Sequence, residues 1–162
     1  MHHLYYNPSQ RSIMITYRGG NETDFHEVAK LWLKMVHEVD PEFTPNVDWW
    51  KADTLESFKN PGYVMIVTED DSRIVAFTDG YIYPEPAQGK IVLYSRHSYV
   101  EPSYRHTPVI KMMYQLITDY ARSKGAEALM FGCNDVTRPL WESKGYKLLE
   151  YTMVGDLHDM NL

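Results

Sequence analysis

A chain of 162 residues, 44% hydrophobic and 23% charged, has the composition of one globular domain and excludes a disordered tail or a coiled coil. A formal net charge of −6 speaks against a nucleic-acid binder, and one cysteine speaks against a disulfide framework or a cysteine zinc site. No stretch approaches the roughly 20 apolar residues of a membrane helix, and the whole fits a reducing, cytoplasmic setting.

Met1 to Ser12 reads as a flexible leader, and residues 13–162 read as a single domain. Ile13 to Tyr17 predicts a short strand closed by Gly19-Gly20. Asn21 or Thr23 caps a helix whose apolar face is Phe25, Val28, Leu31, Trp32, Met35 and Val39. Pro41 and Pro45 end it. A shorter helix follows over Val47 to Phe58, stopped by Asn60-Pro61-Gly62. Tyr63 to Thr68 and Ile74 to Tyr83 predict a hairpin around the turn Glu69-Asp70-Asp71-Ser72. Ile91 to Val100 is a fourth strand. Helix returns over Pro108 to Lys124, with Thr107 at its cap, Pro108 at its first position and Gly125 just past its end. Ala128 to Cys133 predicts a strand with Cys133 as a small core residue. Arg138 to Lys144 predicts a short helix, and Tyr146 to Val154 the last strand. The order is β-α-α-β-β-β-α-β-α-β. It belongs to the α/β class (α+β in some schemes), a mixed, mostly antiparallel twisted sheet with helices on both faces.

The first chemical signal lies between Val100 and Ile110. A strand ends, a turn follows, and a helix begins directly behind it. Such a turn aims unpaired amides and the positive end of a helix at one spot, which suits phosphate, and Arg105 adds a fixed charge beside it. The residues alone leave open an ordinary turn whose amides bind water.

Val100, Pro102, Tyr104 and Arg105 resemble the Val-x-Pro-x-Tyr-Arg acetyl-CoA motif of the GNAT superfamily, the acetyl-CoA-dependent N-acetyltransferases. Asn134 and the run Leu140-Trp141-Glu142-Ser143-Lys144-Gly145-Tyr146 resemble its downstream motif. The element order is similar from about Ile13 to Val154. The resemblance implies the GNAT-like fold, with about six or seven strands in the sheet. It also implies transfer of an acetyl group from acetyl-CoA to a primary amine, on a small molecule or a protein, by direct attack in a ternary complex. Acetyl-CoA is then held by the turn residues Arg105, His106, Thr107, Val109, Ile110 and Lys111. Strand backbone at Tyr99 and Val100 runs along the pantetheine, and Asn134 and Arg138 contribute downstream. Neither a metal, a nucleic acid nor a membrane is implied, and exposed strand edges leave a homodimer open.

Where the chain departs from the motif, it departs at positions that matter. Pro108 and Ile110 fill the two small positions of the phosphate turn. Pro108 removes one N–H donor, worth on the order of 1 kcal/mol, and Ile110 either crowds the phosphates or turns into the core. Trp141 stands where family members place a tyrosine that protonates the departing thiolate, and an indole supplies no such proton at neutral pH. Tyr94 falls at the family's glutamate base. His97, on the same strand, is the residue type suited to proton transfer near neutrality. Strand alternation puts Tyr94 and His97 on opposite faces, so at most one of them faces the cleft. Glu38 and Asp40, between the first helices, fall where the family often walls its acceptor amine. Trp49-Trp50 either cover that site or pack into the protein. These substitutions keep open the alternative of a catalytically silent GNAT-fold protein that serves as a binding or regulatory module.

Overall fold

The computed structural model describes residues 15–133, 135 and 137–149. The leader, the first two residues of the predicted first strand, Asn134 and residues 150–154 of the predicted last strand lie outside them. The chain divides into two compact units, one ending at Phe131 and one beginning at Gly132.

The first unit contains β1 (Ile15–Gly19), α1 (Phe25–Val39), α2 (Val47–Ser57), β2 (Tyr63–Asp70), β3 (Arg73–Glu85), β4 (Lys90–Val100), α3 (Val109–Ser123) and β5 (Ala128–Phe131). Its five strands lie in the order β1-β2-β3-β4-β5. The first four pair antiparallel, and α3 crosses over to bring β5 parallel to β4. Asn21 caps the chain into α1: its side chain accepts the Thr23 amide, while Asp24 accepts the Asn21 amide. α1 and α2 cover one face of the sheet, where Phe25, Leu31, Trp32, Trp50 and Phe77 are buried together. α3 covers the other, where Val109, Met113 and Ile117 lie against Val64, Leu93 and Val100. This separation of α1 and α2 from α3 is what a sheet with two apolar faces requires. No helix among the described residues is long and apolar enough to cross a membrane.

The hairpin turn is tighter than the sequence predicts, and the end of α3 is as predicted. Glu69 and Asp70 pair with Ile74 and Arg73, leaving only Asp71 and Ser72 as the hairpin loop. Both have positive φ, 50° and 66°, as a two-residue loop matched to the strand twist demands. At the end of α3, Gly125 (φ 88°) lets the Gly125 and Ala126 amides return to the Arg122 and Ala121 carbonyls. β5 stops at Phe131, two residues early, and Cys133 is exposed rather than in the core.

In the second unit, α4 (Arg138–Ser143) ends in the same way at Gly145, and the Tyr146 amide returns to the Trp141 carbonyl. Residues 146–149 are therefore not strand, contrary to expectation. The backbone of Tyr146 is spent on closing the helix, and its ring meets Trp141 edge-on, 5.5 Å between centroids.

One irregularity shapes everything that follows. Asp79 pairs with His97, but Gly80 pairs with Ser95, so Arg96 is an extra residue in β4, a β-bulge. The two backbones come so close here that a Cβ on Gly80 would run into the Tyr94 carbonyl oxygen. Only glycine fits.

Candidate active site

The bulge corrects the expected alternation. Directly paired residues share a sheet face, and so do residues two apart on one strand. Tyr94 pairs with Tyr81 and His97 with Asp79, and Tyr81 and Asp79 share the face of β3 toward α1 and α2. Tyr94 and His97 therefore lie on the same face, not opposite ones. Tyr94 sits at the rim, 38% exposed. His97 sits deeper, with its ring edge toward Trp32 and Trp50, 6.5 and 6.4 Å between centroids. Those two indoles stack at 4.5 Å, so Trp50 is core, whereas Trp49 on the next position is exposed.

Asp79 is the anchor of this region, and its side chain is 1% exposed. His97 reaches its Oδ1 twice, through Nδ1 at 3.0 Å and the backbone amide at 3.1 Å. Tyr63 donates its hydroxyl to Oδ2 at 2.8 Å, and Arg96 donates Nη2 to the same oxygen at 3.0 Å. Burial alone would raise the Asp79 carboxyl. The hydrogen bond from His97, the charge of Arg96 and the Tyr63 hydroxyl overcome this and hold it below the ordinary carboxylate range. A carboxylate that accepts from Nδ1 leaves Nε2 of a neutral ring as the free lone pair. Asp79 and Arg96 were not singled out from the sequence. Their signal was there: each is the one charged residue in its predicted strand, Ile74–Tyr83 and Ile91–Val100.

β4 and β5 part company beside this centre. They pair only from Val92 to Ser95, opposite Ala128 to Phe131. Past the bulge, β4 continues for five residues to Val100 with no β5 partner among the described residues. The stretch of β4 that carries Arg96 and His97 therefore lies beyond the end of β5.

The phosphate turn begins at the far end of β4. Pro108 occupies the cap position of α3 rather than its first helical position, with φ −65°. Thr107 is spent within the turn: its hydroxyl donates to the Tyr104 carbonyl at 2.6 Å and accepts the Val109 amide at 3.3 Å. Val109 is buried, so of the expected cofactor residues it serves the core. The amides of His106, Ile110 and Lys111 have no acceptor among the described residues. Ile110 does not turn into the core; its side chain is 45% exposed.

Glu38, expected to hold the acceptor, and Arg105, Tyr99 and Val100, expected to hold the cofactor, meet in one cluster. Arg105 Nη2 lies 2.7 and 2.9 Å from the two Glu38 carboxylate oxygens, and its Nε donates to the Val100 carbonyl at 2.8 Å. Its guanidinium lies 5.3 Å from the Tyr99 ring centroid, and the Tyr99 hydroxyl donates to Glu38 at 2.8 Å. Burial and the Glu38 carboxylate push the Tyr99 phenol up to about 12. The Val100 carbonyl is thus taken by Arg105 rather than left for a ligand, and Glu38 already holds a cation. Asp40 lies apart from the cluster, accepting the Glu42 amide.

A sequence model of the "Acetyltransferase (GNAT) family" matches residues 25–146, three quarters of the chain. The chain belongs to the GNAT family. Among solved structures, this GNAT protein is similar to a "predicted acetyltransferase with acetyl-CoA" from Clostridium acetobutylicum, at 16% identity and a TM-score of 0.75 over 92% of this chain and 100% of that one. It is similar to aminoglycoside N-acetyltransferase AAC(6')-Iy in complex with CoA, at 17% identity and a TM-score of 0.71 over 91% and 97%. It is also similar to ribosomal-protein-alanine N-acetyltransferase from Brucella melitensis biovar Abortus 2308, at 19% and 0.65 over 88% and 99%. At these identities the likeness is one of fold. No curated protein matches the sequence significantly.

The downstream motif of the GNAT protein lies in the second unit. There Arg138, at the start of α4, pairs with Asp135 at 3.4 Å and Glu142 at 3.7 Å. Trp141 packs on Tyr146. Asn134 lies outside the described residues. No group of three or more His, Cys, Asp or Glu that could hold a metal is found among the described residues.

Proposed function

We propose that this GNAT protein is an acetyl-CoA-dependent N-acetyltransferase in which His97 takes the proton of the acceptor amine. The observation that carries the reading is the ring of His97, fixed through Nδ1 by the buried Asp79 on the stretch of β4 that runs past the end of β5. A histidine so held keeps one tautomer and one orientation, and its Nε2 is available as a general base. Tyr94 shares the face, but no comparable anchor orders its hydroxyl.

The residues fit acetyl-CoA at two places. The unbonded amides of Ile110 and Lys111, at the positive end of a fifteen-residue helix, suit a diphosphate, and His106 and Lys111 border them. The β4 edge from Arg96 to Val100 lacks a strand partner among the described residues and suits the amides of the pantetheine arm. Acetyl-CoA supplies the thioester carbon that the amine attacks. Arg105 orders the turn, with its charge shared with Glu38, and the amides take the phosphates. Trp141 supplies no proton to the thiolate, which is a tolerable leaving group without one.

A second reading, CoA binding without turnover, is favoured by Pro108, which deletes an amide at the phosphate turn, and by Trp141. Thermal stability with CoA and thiol release across a panel of amines separate the two. Binding at 100 times its dissociation constant is expected to add about 2.7 kcal/mol. Thiol release above background hydrolysis with at least one amine, lost in His97→Gln, supports the transferase. Stabilisation by CoA with no amine releasing thiol supports the silent protein.

A further inference from the structure

The bulge brings one more charged side chain to Asp79 than a regular ladder would. Arg96 is that residue. Its Nη2 and Nε lie 3.0 and 3.3 Å from Asp79 Oδ2, and its Nη1 reaches Asp53 of α2 at 2.7 Å. Its guanidinium carbon is 5.2 and 5.7 Å from the ring centroids of Tyr81 and Tyr63, and its side chain is 14% exposed. His97 takes the other oxygen, Oδ1. One buried carboxylate is thus divided between a permanent cation and an imidazole.

We propose that Arg96 is the positioning residue of this centre: by holding Asp79 Oδ2 it turns Oδ1 toward His97 and neutralises the carboxylate, so that the ring stays an uncharged Nδ1–H tautomer able to accept a proton at Nε2. The proposal rests on the reading of His97 as the base. The physical need is plain. A buried carboxylate requires a positive partner. With Arg96 present that partner is there at every pH. Without it, the nearest source of positive charge is the imidazolium, and a base that is already protonated accepts nothing. The other groups around the pair do not substitute. Asp79 faces the Tyr63 hydroxyl from β2 and Arg96 and His97 from β4. His97 faces the uncharged rings of Trp32 on α1 and Trp50 on α2. Asp53 of α2 and the Tyr81 hydroxyl of β3 face Arg96, not the ring.

The experiment uses Arg96→Met, Arg96→Gln and Arg96→Lys in the full chain. Two readouts are followed against pH: the NMR resonances of the His97 ring, identified by their loss in His97→Gln, and kcat/KM for thiol release. In Arg96→Met the His97 ring is expected to take up its proton at a higher pH than in the parent, because a neighbouring cation that disfavours the protonated ring is gone and the Asp79 carboxylate is left to favour it. The acid limb of kcat/KM is expected to follow, and Arg96→Lys to restore at least half of both shifts. Arg96→Gln keeps a donor for Oδ2 without the charge, is expected to shift in the same direction, and carries the test should the methionine variant fail to fold. An unmoved His97 titration in a folded Met or Gln variant, with only thermal stability reduced, overturns the proposal. A moved His97 titration with an unmoved acid limb leaves Arg96 as the tuning group and removes His97 as the base, so the two readings fail separately.

Discussion

Two arginine–carboxylate pairs stand at opposite ends of the inward stretch of β4, and they differ above all in exposure. Arg96 and Asp79 are 14% and 1% exposed; Arg105 and Glu38 are 41% and 44% exposed, at a comparable or shorter distance. Removing one partner of a buried pair strands a charge that water cannot reach, whereas an exposed pair exchanges its partner for solvent almost without loss. The first pair therefore belongs to the permanent frame of the site. The second is a contact that a ligand bringing its own phosphates can compete for.

The predictions test this contrast. His97→Gln is expected to lower kcat/KM by about 10² to 10⁴-fold while leaving CoA affinity unchanged by calorimetry, because in the proposed reading the ring works on the acceptor and not at the phosphate turn. A parallel loss of CoA affinity would join the two ends that the comparison separates. Asp79→Asn is expected to cost about 1–3 kcal/mol in denaturant unfolding, since Arg96 keeps Asp53 but loses its buried carboxylate partner. Pro108→Ala restores one amide at the phosphate turn and is expected to tighten CoA about fivefold, the value of one hydrogen bond near 1 kcal/mol. Glu38→Gln is expected to change stability by no more than about 1 kcal/mol, and that difference should vanish at 1 M salt while the Asp79→Asn difference persists.

Acid titration sharpens the comparison from another side. Both carboxyls are held below their ordinary values of 3.8 for Asp79 and 4.5 for Glu38, the first by His97, Arg96 and Tyr63 and the second by Tyr99 and Arg105, in each case against the effect of burial. A group whose folded value is depressed contributes stability that is complete above its unfolded value and is lost as pH falls through the folded one. The melting temperature is expected to hold steady down to about pH 5 and then fall. Below pH 4 the curve should be shallower in Asp79→Asn and little changed in Glu38→Gln.

Much of the frame was legible because it is local. Apolar spacing in α1 and α3, Asn21 ahead of α1, Gly125 and Gly145 behind their helices, and the parallel crossover from β4 to β5 all follow from short stretches of chain. The candidate site was legible in its residues and not in its arrangement. His97 and Tyr94 stood out by type, but the side each faces depends on how β4 registers against β3, and no short stretch of β4 reports that. Asp79 carries a signal as the one acid inside an apolar strand, but the sequence reading passes over it. Glu38 and Arg105 are 67 positions apart, and only the folded chain shows that two residues expected to serve different ligands hold each other. The described start of the last predicted strand, residues 146–149, departs from strand for a simpler reason: the pattern at Tyr146 is apolar enough for a strand, but its amide is committed to ending α4.

Gly80 carries a consequence for the whole centre. One methyl group at that position would force β3 and β4 apart at the step where their phase slips, and with the slip would go the inward turn of both Arg96 and His97. The arrangement of the centre thus leans on an atom that is missing, at a position that contributes no side chain to it. A side chain at position 80 would disturb Arg96 and His97 together without replacing either.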